Sequence, residues 1–259
     1  MNPSATFNVQ GDASYVAFDG TNFWVDGQGN STVSKYRASD GQLLGTFATH
    51  GSPRQMVFDG TNIWVICYAD NSVSKLRTSD GADEGNVVVG QGPSSLAYDG
   101  ANIWLVDSGG PQGYLSELRG SDTTLLGTFA VGPLPQAVTF DGKDLYVTNY
   151  SGSYITEVNP ANGSKQMLTI TGQSPGAIVA AGPNLWVTNP GDKTVSEFRT
   201  SDGVKLGTFP VGGNPAEIVY DGSNANGGNG GGLISSDDSD MAKTSNSGDR
   251  SSPHRPSRP

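Results

Sequence analysis

The sequence of 259 residues is poor in the residue types that most often carry catalytic or metal chemistry. Cys67 is the single cysteine, so an internal disulfide is impossible and the redox compartment stays undetermined. His50 and His254 are the two histidines. The sequence contains no G-x-S-x-G, H-E-x-x-H, paired-cysteine or P-loop motif, which argues against the common hydrolase, zinc and nucleotide sites.

Long apolar runs and positive charge are also scarce. No apolar stretch approaches the ~18 residues of a transmembrane helix. Only 15% of residues are charged, and the formal net charge is −10. We therefore expect no nucleic-acid partner and no binding to anionic membranes. The N-terminus lacks the basic and apolar regions of a signal peptide, and the localisation stays unknown.

One phrase recurs at nearly constant spacing along the chain. It reads FDGTNFWV, FDGTNIWV, YDGANIWL and FDGKDLYV, followed by a degenerate copy AAGPNLWV and a broken copy YDGSN. A period in the range of ~20–50 residues indicates a solenoid, a propeller or another repeat array. The spacing is 40 or 42 residues throughout, as the glycines of the six copies show: Gly20, Gly60, Gly100, Gly142, Gly182 and Gly222.

Turn signals within one unit arrive about every ten residues. In the second unit, Asp-Gly, Ala-Asp-Asn and Ser-Asp-Gly separate short runs rich in aromatic and β-branched residues. Four strands in ~40 residues is the arithmetic of a β-propeller blade and leaves no room for a helix. The sequence therefore predicts an all-β β-propeller of four-stranded blades, with strands a to d running from the channel outward.

The pattern predicts five complete blades and a partial sixth. The complete units are residues 13–51, 52–90, 91–132, 133–172 and 173–212. Strand a of a sixth blade is expected at 215–221 and an isolated strand d at 6–9, with no strands b and c between them. Ring closure is therefore in doubt. The propeller domain is predicted to cover residues 5–222.

The repeat ends near Asn224, where the sequence turns to Ala-Asn-Gly-Gly-Asn-Gly-Gly-Gly. Such a segment cannot bury enough apolar surface to fold, so residues 223–259 are expected to form a disordered tail rich in glycine, serine, aspartate and proline. A functional linker and a reading frame lost near Asn224 are both open explanations. A truncated product without independent function is a further possibility.

Residues that recur in every unit are expected to be structural. One aromatic side chain on strand b should wedge between neighbouring blades, and an aspartate should precede glycine in the tight a–b turns. An inert thiol is the better interpretation of Cys67. The recurring rings are Trp24, Trp64, Trp104, Tyr146 and Trp186, and the recurring aspartates are Asp19, Asp59, Asp99, Asp141 and Asp221.

The segment Leu145-Tyr146-Val147-Thr148-Asn149 contains the tetrapeptide YVTN. The chain resembles the YVTN-repeat β-propellers and the related virginiamycin B lyase-like and NHL-like bacterial propellers. This resemblance implies a propeller that is often periplasmic or secreted and that acts mostly as a binding platform. Lyases of this group use a histidine base, an acidic partner and magnesium; His50 and His254 do not stand in such a motif.

Deviations from the repeat indicate where function could lie. They gather on the upper face, which carries the b–c loops and the d–a connections, and loops on a rigid scaffold often bind partners. His50 replaces a glycine of the other units, and Arg54 begins strand a at the channel mouth. The candidate binding residues are His50, Arg54, Gln55, Tyr68, Asp107, Gln112, Tyr114, Gln136, Tyr150 and Glu217.

These patterns favour a non-catalytic binding or scaffold protein that presents its upper face to a peptide, glycan or protein partner. No catalytic residue, metal ligand or cofactor is predicted. The alternative is a magnesium-dependent lyase-like enzyme with His50 as its base. Exposed strand edges also make self-association possible.

Overall fold

The structure, a computed structural model, describes residues 9, 12–170, 172–220 and 225–228. These residues form five four-stranded antiparallel sheets and one two-stranded sheet. In every four-stranded sheet the strands are neighbours in chain order, so each sheet is a meander made from one repeat unit. The predicted five complete blades and partial sixth are therefore confirmed.

The strands have nearly the same length and order in every blade. Blade 1 contains β1 (Val16–Phe18), β2 (Asn22–Gly27), β3 (Thr32–Arg37) and β4 (Leu43–Ala48). Blade 2 contains β5 (Pro53–Phe58), β6 (Asn62–Cys67), β7 (Ser72–Arg77) and β8 (Asp83–Val88). Blade 3 contains β9 (Pro93–Tyr98), β10 (Asn102–Asp107), β11 (Gly113–Arg119) and β12 (Leu125–Gly132).

Blades 4 and 5 repeat this arrangement. Blade 4 contains β13 (Pro135–Phe140), β14 (Leu145–Asn149), β15 (Tyr154–Val158) and β16 (Lys165–Ile170). Blade 5 contains β17 (Ile178–Ala181), β18 (Asn184–Asn189), β19 (Thr194–Arg199) and β20 (Lys205–Pro210). The helices of the described part are two single 3-10 turns, Gln28–Asn30 and Tyr68–Asp70. Neither is long and apolar enough to cross a membrane.

The sixth unit differs from the sequence prediction. No second strand was expected there, yet β22 (Ala225–Gly228) pairs antiparallel with β21 (Glu217–Tyr220). Sheet pairing uses backbone N–H and C=O groups, which glycine also has, so the glycine-rich composition did not prevent it. The segment expected to be disordered from residue 223 thus contains the strand Ala225–Gly228. Residues 6–8 of the expected isolated strand and residues 229–259 of the tail lie outside the described part.

Successive blades pack through the ring on strand b, as predicted. Trp24 of blade 1 packs with Ile63, Val65 and Leu76 of blade 2. The corresponding rings of blades 2, 3 and 4 pack against the next blade in the same way, and Trp186 packs with Ile218 of β21. All five rings are fully buried. Removing one such ring typically costs about 3–5 kcal/mol, so these wedges are a major source of stability.

In blades 1 to 4, a hydrogen bond that the sequence did not reveal fixes the aromatic side chain of strand b to its a–b turn. In blade 2, Asp59 Oδ1 accepts the backbone N–H groups of Thr61 and Asn62 at 2.8 and 2.7 Å. Asp59 Oδ2 accepts the indole N–H of Trp64 at 2.7 Å. Burial opposes ionisation of Asp59, but these hydrogen bonds hold its pKa below its ordinary value. Equivalent bonds join Asp19 to Trp24, Asp99 to Trp104 and Asp141 to Tyr146.

Blade 5 lacks this bond and shows its effect by contrast. Ala181 stands where the other turns have aspartate. The Nε1 atom of Trp186 is consequently buried without a hydrogen-bond partner. A buried unpaired donor costs about 1–3 kcal/mol, so the interface between blade 5 and the sixth unit lacks a contribution that the other interfaces have.

The side of blade 1 that is turned away from blade 2 has the lining of a blade interface, but among the described residues no other blade packs on it. Phe23, Val25 and Tyr36 occupy the repeat positions of Ile63, Val65 and Leu76. With Val16 they line an open apolar groove of about 390 Å³. Phe23 is 37% exposed and Val16 is 63% exposed. This side of blade 1 therefore has the apolar residues of a blade interface.

We predict that Asp59→Ala lowers the free energy of unfolding by about 1–3 kcal/mol, because Trp64 and two backbone N–H groups lose their acceptor. The depressed pKa gives a pH signature. The contribution of Asp59 is present above its unfolded pKa of about 3.9 and is lost as the pH falls through the lower folded value. Urea denaturation at several pH values should show the gap between wild type and variant closing in acid.

The matched control is Asp80→Ala, which removes another lower-face aspartate. Asp80 forms an exposed ion pair with Arg77, and such pairs contribute little. Equal destabilisation by the two substitutions would contradict a special role for the contact between aspartate and tryptophan.

Candidate functional site

The inner strands of the blades surround one polar cavity of about 250 Å³. Strands β1, β5, β9, β13, β17 and β21 contact one another in succession. Tyr15, just before β1, and Glu217, at the start of β21, both line the cavity. The first and the sixth units therefore face the same space, and residues far apart in the sequence form a single site.

Polar side chains from the inner strands also join the blades around this cavity. The Gln55 Oε1 atom of blade 2 accepts the Leu96 N–H of blade 3 at 2.6 Å. The Ser94 hydroxyl of blade 3 donates to the Gln136 carbonyl of blade 4 at 2.9 Å. Gln55, Ser94 and Gln136 all line the cavity. Its wall is thus held in place by the same groups that supply its polarity.

Arg54 is the cation of the cavity wall. Its guanidinium carbon lies 3.6 Å from the ring centroid of Tyr68, a cation–π contact that orients the side chain. The Nε atom is buried and has no hydrogen-bond partner. The other arginines of the described part each pair with an aspartate three residues later: Arg37, Arg77, Arg119 and Arg199. Among the arginines of that part, Arg54 alone forms no ion pair.

Tyr15 lies in the field of both charged residues of the cavity. Burial raises the pKa of Tyr15, the charge of Glu217 raises it further, and the charge of Arg54 lowers it. Glu217 keeps solvent-accessible surface, but crowding by the surrounding atoms desolvates its carboxyl and raises its pKa. No ion pair involves Glu217 among the described residues. The cavity therefore contains one positive and one negative group that do not pair with each other.

Six of the ten predicted candidates do not line the cavity: His50, Tyr68, Asp107, Gln112, Tyr114 and Tyr150. Tyr68 stacks on Arg54 of the wall. Gln112 and Tyr150 are exposed on b–c connections, and Tyr114 is exposed at the start of β11. Gln112 Nε2 donates to the neighbouring Gly113 carbonyl at 3.2 Å. Loop irregularity alone therefore did not identify the residues that the fold gathers.

His50 takes part in a rebuilt structural contact. In blade 3, Gly90 lies so close to the Asp107 side chain that a Cβ atom would clash with it. Blade 2 instead has His50 at the glycine position and the smaller Cys67 at the aspartate position. The His50 Nδ1 atom lies 3.2 Å from Ser74 Oγ. The imidazole thus contacts the Ser74 hydroxyl of strand c, which is equivalent to the Ser116 hydroxyl that Asp107 contacts in blade 3.

Cys67 is fully buried, with its Sγ atom 3.3 Å from Ser74 Oγ. Burial raises the pKa of its thiol, which disfavours the reactive thiolate. This burial supports the interpretation of Cys67 as an inert thiol, which stays a prediction. The described residues contain no group of three or more histidine, cysteine or acidic side chains that could hold a metal ion.

Asp107 was expected in an exposed loop, and this placement was wrong. It is the last residue of β10 and only 3% exposed. Its Oδ2 atom accepts the Ser116 hydroxyl, and the Gly90 N–H also donates to the carboxyl. Burial outweighs these hydrogen bonds and raises the pKa of Asp107 to about 6. Asn189 has the same role in blade 5, where its Oδ1 accepts the Gly172 N–H at 2.9 Å.

Three polar residues of the cavity wall were missed as candidates. Tyr15 and Ser95 stand at the repeat position of Gln55, and Ser94 stands at that of Arg54. A further residue behind the wall, Asp26, accepts the Tyr15 N–H at 2.7 Å through its Oδ1 atom. Reading these two repeat positions around all six units would have found the three wall residues.

We predict that Asp107→Asn stabilises the protein at neutral pH, since an amide already fills this position in blade 5. The raised pKa means that the contribution of Asp107 is full below its unfolded pKa of about 3.9 and is lost as the pH rises through about 6. The difference between variant and wild type should therefore grow by about 2–3 kcal/mol over that window. Chemical denaturation between pH 4 and pH 8 measures it.

The reciprocal variant Asn189→Asp is the control, because it places a carboxyl in an equally buried position. It should lose stability over the same pH range in which Asp107→Asn gains it. A pH-independent difference for both variants would contradict the assignment.

No family model matches the chain, and no curated protein matches it. Among solved structures, Kuenenia stuttgartiensis hydrazine synthase matches with a TM-score of 0.75 and 14% identity, over 88% of this chain and 83% of that chain. A streptogramin B lyase structure matches with a TM-score of 0.69 and 15% identity, over 80% of this chain and 72% of that chain.

A nidogen/laminin complex structure matches with a TM-score of 0.61 and 19% identity, over 76% of this chain and 80% of that chain. At these identities the likeness concerns the fold alone, because one fold supports many activities. The chain is an all-β propeller whose structural neighbours include streptogramin B lyase, as the resemblance to the YVTN-type propellers implied.

Proposed function

We propose that this chain is a non-catalytic binding propeller whose ligand enters the polar cavity at the channel mouth. The ligand is a peptide, a glycan or a loop of a protein partner, and it provides an acceptor oxygen for Arg54. The single observation that carries this proposal is the buried, unpaired Nε atom of Arg54.

The unpaired donor has an energetic cost in the free protein. Leaving such a group without a partner costs about 1–3 kcal/mol, and a ligand oxygen at Nε would offset this cost. Stacking on Tyr68 fixes the plane of the guanidinium, so less side-chain freedom is lost on binding. An unpaired, pre-oriented donor in a cavity is typical of a binding residue.

The rest of the wall suits polar recognition. The side chains of Tyr15, Gln55, Ser94, Gln136 and Glu217 line the same space as Arg54 and offer hydroxyl, amide and carboxylate groups. Amide and hydroxyl groups can both donate and accept hydrogen bonds, which suits backbone amides and sugar hydroxyls alike.

The geometry favours binding over elimination chemistry. A general base must come within hydrogen-bond reach of the proton that it removes. His50 instead contacts Ser74, whose hydroxyl is equivalent to the strand c hydroxyls that Asp107 and Asn189 contact in blades 3 and 5. Turnover of a cyclic depsipeptide with magnesium, abolished by His50→Ala, would contradict the non-catalytic proposal.

We predict that Arg54→Met weakens ligand binding without loss of stability. Methionine keeps an unbranched apolar stem that can pack on Tyr68, and it removes the unpaired buried donor. The melting temperature should stay constant or rise. Binding of the wild type to a panel of short peptides and neutral oligosaccharides, measured by calorimetry, should fall at least tenfold in the variant.

Arg199→Met is the matched control, because Arg199 forms an exposed ion pair with Asp202 away from the cavity. It should leave binding unchanged. A loss of stability in Arg54→Met without any change in binding would assign Arg54 to the framework instead.

A further inference from the structure

The cavity holds two opposite charges that the protein itself leaves uncompensated. Arg54 and Glu217 both line it, and neither forms an ion pair within the described residues. Both act electrostatically on the same Tyr15 hydroxyl, in opposite directions. Arg54 comes from blade 2 and Glu217 from the sixth unit, so the propeller brings the two charges to one space.

The remaining polar wall is neutral. Gln55, Ser94, Ser95 and Gln136 contribute amides and hydroxyls, and the neighbouring alanines and glycine leave space. Glu217 is exposed and Arg54 is half-buried in the free protein, so both keep solvent-accessible surface. A ligand that fills the cavity displaces this water. A ligand with one charge would then pair with one of the two groups and leave the other unpaired, and a neutral ligand would leave both unpaired. Burying a charge is costly unless it is paired, so the wall discriminates against both kinds of ligand.

The volume limits the size of the ligand. A cavity of about 250 Å³ corresponds to on the order of eight water volumes. This is enough for a small molecule or for the end of a longer one, and too little for a folded segment.

We propose that the cavity binds a small zwitterion that carries a carboxylate and an ammonium group, that is, a free amino acid or a short unblocked peptide. This inference rests on the proposed binding function and names its ligand class. The guanidinium of Arg54 receives the carboxylate, since its planar fork matches two carboxylate oxygens. The carboxylate of Glu217 receives the ammonium group, and Gln55 and Gln136 provide hydrogen bonds to the peptide unit.

The experiment uses the full chain and four forms of one dipeptide, alanylalanine. The forms are unblocked, N-acetylated, C-amidated and blocked at both ends, and free alanine is a fifth probe. Titration calorimetry should show saturable binding of the unblocked dipeptide and a loss of tenfold or more for each single block. Binding of free alanine at equal strength would identify an amino-acid site, and weaker binding would identify a peptide site.

Two variants assign each end of the ligand. Glu217→Gln should remove the preference for a free amino group and keep the preference for a free carboxylate. Arg54→Met should do the reverse. Glu84→Gln, which removes an acid paired with Arg77 outside the cavity, should change neither preference. Melting curves confirm that the variants are folded.

The outcomes separate this inference from the binding function beneath it. Equal affinity for blocked and unblocked dipeptides, or insensitivity to Glu217→Gln, would overturn the zwitterion. If the zwitterion inference failed in this way but oligosaccharides or longer peptides still bound in an Arg54-dependent manner, the proposed binding function would stand and the ligand class would be wrong. If no probe bound in an Arg54-dependent manner, both would be wrong.

Discussion

The fold depends on one contact repeated between blades, the ring of strand b inserted into the apolar face of the next blade. Trp64 illustrates the constraint, because its ring packs on blade 3 while its N–H is held by Asp59 of its own a–b turn. The ring is therefore fixed by a polar bond at one edge and by apolar packing over its faces. Because every interface uses such an aromatic side chain, and those of blades 1 to 4 also use the polar bond, stability accumulates along the row of blades as in other repeat proteins.

This constraint separates the two faces of the propeller. The lower turns must keep their aspartates in place to hold the rings, so their sequence stays repetitive. At the upper ends of the strands, Asp107 and Asn189 contact a strand c hydroxyl in blades 3 and 5. In blade 2 the equivalent contact is made by His50, a larger residue at the glycine position, and the smaller Cys67 stands at the aspartate position. Variation there need not mean chemistry, since a close-packed contact can be rebuilt with different groups.

Positions that recur from unit to unit could be interpreted from the sequence, whereas contacts between residues far apart in the chain were harder to predict. Trp24 and its equivalents could be assigned to the interfaces because their recurrence has no other simple cause. The bond from Asp59 to Trp64 was not predicted, because the turn already explained an aspartate before glycine. Asp107 was misplaced because the third unit is two residues longer than the others, and we placed the extra residues and Asp107 in its b–c loop. Arg54, Gln55, Gln136 and Glu217 were found from repeat positions, but only the folded chain shows that Tyr15 and Glu217 line one cavity.

The candidate site depends on the interface that lacks its polar bond. Glu217 belongs to β21, which is held on blade 5 through Ile218 and the ring of Trp186. Ala181 leaves that ring without an acceptor, and the sheet of β21 has two strands in the described part instead of four. Arg54, in contrast, stands in a complete blade between two interfaces that have the polar bond. Arg54 is thus held by interfaces with this bond and Glu217 by the interface that lacks it. A ligand that bridges Arg54 and Glu217 would therefore also stabilise the sixth unit, since binding free energy adds to the stability of the state that binds.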